Sequence, residues 1–400
     1  MRYFLEMAPK NQINSTIRKV AYLPKRVLSF TQPKVLYRSI YLLFMFYGIG
    51  LQNCSKKVKK YNFIALLFHG IWMVTVSNEI ACFDPADMTY HCFTLIKYLC
   101  SMLSWWIVHK KRKHLNNLRD DLEQLKRDLK IQGSRTIAKW VEFFCYFFAF
   151  IIFGPGVICC LKLLIVGKDP RFFCPYIQNM KIQKGAKALH FFLLSSFNYC
   201  SLGLPYIIMM FYCFYCAEMI RLCKRLTSLR LYSVSEISGS ENFDEESYFK
   251  QAYRLLLTTI RNLESTFSSL IFFLFVNSFL EILRIETIVI MYLKGQWQLD
   301  VFVHSLYYST IAAVSFVVII ISADQAQDQI DLAKVNLRGF HKIISLQCSL
   351  RDIREDIQFL QDCRCVRLTA WRMFTVKRDL FLNIIALYIT YGVLIVQFTA

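Results

Sequence analysis

The chain has 400 residues, of which 56% are hydrophobic and 16% aromatic, with a mean hydropathy of +0.36. That is too apolar and too long for one soluble core under a polar surface, so a bilayer is the expected solvent. The formal charge of +20 sits between apolar runs of about 20 residues, which is the pattern of the positive-inside rule and not of a nucleic-acid-binding face.

Residues 1–34 are polar and basic, with Arg18, Lys19, Lys25 and Arg26 and no apolar h-region, so no cleavable signal peptide is predicted and the first span is expected to direct insertion. The apolar run at 40–51, Ile40 to Leu51, is short for a crossing and ends in Gly48, Gly50 and the basic stretch Lys56 to Lys60. It reads as a re-entrant or interfacial helix within a cytoplasmic segment, 1–61. Seven later runs are long enough to span: Asn62 to Cys82, Met88 to Val108, Val141 to Val166, His190 to Cys216, Phe267 to Leu293, Val301 to Ser322 and Asp379 to Phe398. The predicted fold is an all-α integral membrane protein of seven transmembrane helices. Its parts are the N-terminal segment 1–61, six spans with a ligand pocket at 62–322, a cytoplasmic helical anchor at 323–378 and a last helix at 379–400.

Counting Lys and Arg between spans gives 12 in residues 1–61, 10 in 109–140, 7 in 217–266 and 10 in 323–378. The alternate side carries 5 in 167–189 and Lys294, and none between the first two spans. This bias predicts a cytoplasmic N-terminus and an extracellular C-terminus. Cytoplasmic helical extensions are also predicted. Leu115, Leu118, Leu122, Leu125 and Leu129 recur at helical spacing between charged neighbours, as do Ile330, Leu332, Val335, Leu337, Phe340, Ile343 and Ile344 before the last span. Breaks are expected at Ser233 to Ser247 and Cys348 to Arg354.

No enzymatic constellation is present: neither HExxH nor GxSxG nor a Walker glycine loop, and no paired carboxylates facing a His. Neither the 15 cysteines nor the 7 histidines have disulfide-framework or metal-ligand spacing, so no metal or cofactor is expected. Ionisable groups inside the spans say more, since each costs at least about 2.5 to 3.5 kcal/mol to insert. Lys97 lies mid-span, to be explained either by snorkelling or by a polar interior. Glu281, Arg284 and Glu286 interrupt the fifth span, and Glu281 and Arg284 are spaced either to pair along one helix or to face a cavity.

Polar and aromatic residues mix in the outer halves of the helices: Tyr90, His91 and Thr94; His190, Ser195, Asn198 and Tyr199; His304, Tyr307 and Tyr308. With Glu281 they are the candidate lining of a small-molecule pocket. An interfacial aromatic belt gives the same composition.

In the last span, Thr390-Tyr391 is followed by Gly392 through Val396 and then Gln397-Phe398. Thr390, Leu394 and Gln397 share one semi-polar helical face, with Phe398 adjoining. Interhelical hydrogen bonding by Thr390 and Gln397 is one explanation, and a water-filled path lined by Gln397 is another.

These residues resemble the TYhhhhhQF signature that closes insect gustatory receptors, with Gly392 as the one departure. Leu368-Thr369-Ala370, Phe374 and Lys377-Arg378-Asp379 resemble the stretch leading into that family's last helix. The resemblance implies a chemosensory ligand-gated cation channel in the plasma membrane. It also implies a homotetramer or a heteromer with related receptors, opened by a small-molecule tastant, whose last helices surround the pore and place Leu394, Gln397 and Phe398 along it. An odorant receptor shares that plan. A G-protein-coupled receptor fits less well, because it needs an exterior N-terminus and the last span has no Asn-Pro-x-x-Tyr. A transporter would favour internal repeats, and none is seen.

Overall fold

The computed structural model describes residues 42–50, 58–81, 83, 88–129, 131, 198–235, 242–293, 299–344 and 367–399, with single positions at 139–154 and 192–196. The described chain is helical except for one hairpin. Its elements are α1 (Val58–Ala81), α2 (Met88–Lys110), α3 (Arg112–Asp128), a π-turn (Tyr199–Gly203) running into α4 (Leu204–Ser235), α5 (Asn242–Leu293), α6 (Leu299–Ile344), β1 (Thr369–Ala370), β2 (Phe374–Thr375) and α7 (Arg378–Thr399).

Five stretches are long and apolar enough to cross a bilayer: Asn62–Ala81, Tyr90–Lys110, Tyr199–Ser228, Gln251–Ile290 and Ser305–Val335. They fall on the predicted first, second, fourth, fifth and sixth spans. The seventh is α7, whose 22 residues give about 33 Å of helix, enough for the hydrocarbon core. The third span, Val141 to Val166, and the start of the fourth lie outside the described residues apart from single positions.

The two longest helices show why charged loops and apolar spans alternate. At 52 and 46 residues, α5 and α6 reach about 78 and 69 Å, more than twice the hydrocarbon thickness, so each continues past the membrane as a polar helix. There α3 joins them. Its predicted leucine stripe is buried from Leu115 to Leu129, and its polar face reaches neighbouring helices through Lys126 to Glu218 at 2.9 Å and Asp121 to Asn262 at 2.8 Å.

The run at 42–50 folds as a helical turn that buries Leu43, Phe44, Tyr47 and Ile49 against the bundle. The Tyr47 ring stacks on Tyr199 with centroids 4.5 Å apart, its hydroxyl donates to the Tyr199 carbonyl at 3.0 Å, and Trp105 Nε1 donates to the Tyr47 carbonyl at 2.8 Å. The chain then turns through Gly48, at φ +68°, where a Cβ would collide with the Ala65 backbone. Both the sign of φ and the close approach require glycine.

Within the segment 323–378, expected to be helical, α6 runs to Ile344 and the described end is a hairpin. Thr369 pairs with Thr375 and Ala370 with Phe374. The reason lies in its turn, where Trp371 and Arg372 take φ +49° and +58°, incompatible with a continuing right-handed helix. Tertiary contacts hold these left-handed residues: Ser268 accepts from Trp371 N at 2.8 Å through its carbonyl and from Arg372 N at 3.2 Å through its hydroxyl. Glu264 accepts from Thr369 N at 2.8 Å, and Asp324 grips Arg378 Nε at 2.6 Å at the start of α7. Nearby, Lys111 Nζ donates to the Ser265 carbonyl at 2.6 Å; burial first, and then Arg372, lower its ammonium pKa from the ordinary value, with Glu264 opposing. The hairpin therefore seats α7 on α5 and α6.

Candidate functional site

In the apolar middle of the bundle, α2 and α5 meet at three charges. Lys97 Nζ pairs with one carboxylate oxygen of Glu281, and Arg284 pairs with the other, its Nε at 3.2 Å. Lys97 is 1% exposed, Glu281 0% and Arg284 2%. Such groups persist out of water only when mutual attraction and hydrogen bonds offset the loss of hydration. Glu281 accepts from both cations, so the cluster locks α2 to α5. Lys97 does not snorkel. Of the readings left open by the sequence, the structure shows pairing along the helix and, in addition, a partner 184 positions away in sequence.

Aromatic and polar groups complete the cluster. Arg284 Nη1 donates to the Tyr90 hydroxyl at 3.3 Å, and its guanidinium lies 5.4 Å from the Tyr90 ring centre and 5.7 Å from that of Tyr308, within the range of cation–π attraction. Beside Tyr90, His91 Nδ1 is 2.7 Å from Glu79 Oε1 of α1. The Asn198 side chain meets the Tyr308 hydroxyl, and the Tyr307 ring packs at 5.4 Å from that of Tyr308.

The structure thus brings together Tyr90, His91, Asn198, Glu281, Tyr307 and Tyr308 from the sequence-predicted set. Thr94 is buried nearby on α2, its hydroxyl donating to the Tyr90 carbonyl at 3.0 Å. Ser195 is buried, with no hydrogen-bond partner among the described residues. Tyr199 is not part of the group: it stacks on Tyr47 and donates to the Phe46 carbonyl. His190 and the side chain of His304 lie outside the described residues. Three members were not in the predicted lining, Lys97, Arg284 and Glu79. The insertion cost of Lys97 and Arg284 was the available signal, since an ion in hydrocarbon needs a counter-ion.

The π-turn at Tyr199–Gly203 sits between the cluster and the 42–50 segment. Pro205 follows it and has no N–H to offer the preceding turn, which loosens the ladder there. Ser101 of α2 donates to the Cys200 carbonyl, and Tyr47 to that of Tyr199. Side chains thus satisfy carbonyls in the widened turn.

The last helix has two unlike faces. Leu380, Ile384, Tyr388 and Gly392, four residues apart, are half-buried against the rest of the chain, and Tyr388 stacks on Phe279 of α5 with centroids 5.0 Å apart. On the other side Thr390, Leu394 and Gln397 are exposed, Leu394 by 39%. The Thr390 hydroxyl bonds the Ala386 carbonyl of its own helix at 2.9 Å. Tyr391 lies between the faces, its ring 6.1 Å from Phe279. The side chain of Phe398 lies outside the described residues.

The profile of the 7tm chemosensory receptor family matches residues 61–400. No curated protein matches the sequence significantly. Among solved structures, the insect olfactory receptor OR5 from Machilis hrabei superposes with a TM-score of 0.70 at 13% identity, covering 92% of this chain and 99% of that one. The same receptor in complex with eugenol gives 0.67 at 15% identity, covering 91% and 98%. At this identity the likeness is one of fold.

Proposed function

The chain belongs to the 7tm chemosensory receptor family, and from that premise we propose that it is a gustatory receptor acting as a ligand-gated, non-selective cation channel. It works in the plasma membrane of chemosensory neurons, with the N-terminus cytoplasmic and the C-terminus outside. It assembles as a homotetramer or as a heteromer with related receptors.

One observation carries this reading: within a subunit, α7 turns Thr390, Leu394 and Gln397 away from its own bundle. A semi-polar face exposed at membrane depth is poorly matched to lipid and well matched to a shared aqueous axis. Leu394, Gln397 and Phe398 then line the path. An apolar ring closes it by dewetting, and an amide ring replaces part of an ion's hydration shell.

The tastant occupies the outer part of the bundle, where Tyr90, Tyr307, Tyr308 and Asn198 combine aromatic faces with hydrogen-bonding groups. Coupling runs through α5. Glu281 and Arg284 hold that helix to α2, while Phe279 packs on Tyr388 and Tyr391 of α7. A ligand that repositions α5 therefore moves the pore helix, provided it binds the open arrangement more tightly.

The structural neighbour with bound eugenol favours an odorant receptor as the second reading, and the Thr390-Tyr391 and Gln397-Phe398 ending favours the gustatory one. Expression in oocytes with tastant and odorant panels, recorded with G-protein signalling blocked, tests both. A current evoked by tastants supports the proposal. Responses that vanish when G-protein signalling is blocked refute it.

A further inference from the structure

One side of α2 stays uncovered at span depth. Ile96, Leu99, Leu103 and Trp106 recur three and four residues apart and are all exposed, so this side of the helix faces hydrocarbon. Trp106 ends the stripe, as tryptophan does at the headgroup level of a membrane. Beyond it come four consecutive basic residues, Lys110, Lys111, Arg112 and Lys113, of which all but Lys111 are exposed. The chain passes from α2 to α3 through this run with its helical ladder kept. Lys111 N donates to the Ile107 carbonyl at 2.9 Å, and Leu115 N to the Lys111 carbonyl at 3.0 Å. The charges are therefore carried on helix and not on a loose loop.

A fifth cation reaches the same place from the far end of the sequence. Lys111 Nζ donates to the Ser265 carbonyl at 2.6 Å and to that of Thr266 at 3.1 Å, on the turn of α5 where Ser268 holds the hairpin tip through Trp371 N and Arg372 N. Burial, and then the Arg372 guanidinium, lower the Lys111 ammonium pKa, so the two cations stand close enough to repel. Glu264, which opposes that shift, accepts through one oxygen from Thr369 N and through the other from the Thr369 hydroxyl. Among the described residues no acid pairs with Lys110, Arg112, Lys113 or Arg372. On either side of the exposed Arg372, Trp371 and Met373 are exposed as well. The Trp371 ring meets Phe272 and Phe273 at 5.0 and 5.6 Å, near the start of the fifth span. The hairpin tip thus presents a guanidinium between two apolar side chains at the level where apolar helix gives way to charge.

Like charges gathered without a counter-ion repel, and a phosphate set among them offsets that repulsion. Four to eight Lys or Arg immediately beyond a span is the pattern that attracts acidic phospholipids. We propose that Lys110 to Lys113 and Arg372, between Trp106 and Trp371, bind the headgroup of an acidic phospholipid, whose glycerol and acyl chains lie against the two indoles and Met373. Five cations suit a headgroup with more than one phosphate. A lipid held there bridges α2 to the hairpin that seats α7. Which leaflet it occupies rests on the proposed cytoplasmic side of these segments, whereas the binding does not.

The test uses the full-length protein in detergent and a fluorescent short-chain phosphatidylinositol bisphosphate, with binding read by anisotropy at fixed salt. Arg372→Gln should weaken binding about fivefold, the contribution of one basic residue at a membrane surface, and Arg372→Lys should restore most of it. The hairpin contact with Ser268 uses the Arg372 backbone N, so these substitutions leave it in place. Lys139→Gln removes an equal charge at an exposed position before the predicted third span and should bind as the unsubstituted protein does. Inositol trisphosphate, which has the phosphates without acyl chains, should compete at least about tenfold more weakly than the unlabelled lipid. Undiminished binding in Arg372→Gln, an equal loss in Lys139→Gln, or equal competition by inositol trisphosphate overturns the site. So does an unsubstituted protein with no saturable binding, the result expected if a second copy of the chain covers Trp371 and Met373.

Discussion

Glu281 accepts from both Lys97 and Arg284 at a point where all three side chains are almost wholly removed from solvent. Glu281→Gln preserves volume and removes one charge, leaving two cations facing a neutral amide. A unit pair at about 4 Å is worth about 4 kcal/mol at an effective dielectric of about 20, and breaking buried pairs by removing one partner costs about 3–5 kcal/mol. The variant should lose that amount, roughly a hundred- to several-thousand-fold in the folded-to-unfolded ratio.

Lys97→Met is the informative contrast. It removes a cation together with its repulsion from Arg284 and leaves the Glu281–Arg284 pair intact, so its cost should stay near 1–2 kcal/mol. Equilibrium unfolding in mixed micelles, followed by tryptophan fluorescence, measures both. Equal destabilisation by the two substitutions, or a Glu281→Gln protein as stable as wild type, would refute the charge balance on which the locking of α2 to α5 rests.

Other perturbations test separate parts. Gly48→Ala places a Cβ against the Ala65 backbone at φ +68° and should cost at least about 1–3 kcal/mol, seen as lower yield of folded protein on size exclusion. Glu264→Gln weakens the acceptor for Thr369 N, a charge-assisted bond worth about 1.5–3 kcal/mol. It should loosen the hairpin before it unfolds the bundle, with faster amide exchange at residues 369–375 as the measure. Leu394→Ala should raise ligand-independent current by widening the closed constriction, and equal basal currents at equal surface expression would count against that gate. Asn14 and Asn53 should stay unglycosylated if, as the charge bias predicts, the N-terminal segment is cytoplasmic. A mobility shift on endoglycosidase digestion that Asn53→Gln abolishes would reverse the orientation.

The span pattern was legible because insertion into a bilayer is decided locally, by some 20 apolar residues between charged loops. The leucine stripe of α3 was legible for a related reason, since period alone marks its buried face. What sequence could not supply was pairing between distant residues. The cost of Lys97 announced that something must face it, but not that Glu281 does, because hydropathy carries no information on helix adjacency. Composition marks Tyr90 and Tyr308, insertion cost marks Glu281, and the three converge. Composition marks Tyr199 equally, yet it meets Tyr47, a residue whose short run gives no sign of its partner.

The hairpin at 369–375 was hidden differently. Its turn uses Trp371 and Arg372 in left-handed conformations that neither residue favours, and contacts with Ser268 on a distant helix sustain them. Local preference was overridden by tertiary structure. Gly392 breaks the hydrophobic run of the last helix at a point where the Glu286 side chain of α5 lies beside it, a neighbour the sequence does not reveal.

We propose that the exposed face of α7 lines the conducting path, and the sharpest check is modification of Gln397→Cys by a charged, membrane-impermeant thiol reagent applied externally during ligand-evoked current, compared with unsubstituted protein and with Ile384→Cys, which faces the bundle. Rapid, irreversible loss of current is expected at Gln397→Cys, and none beyond the unsubstituted level at Ile384→Cys. Gln397→Cys channels that reach the surface, respond to ligand and conduct unchanged after the reagent has demonstrably reacted would contradict it.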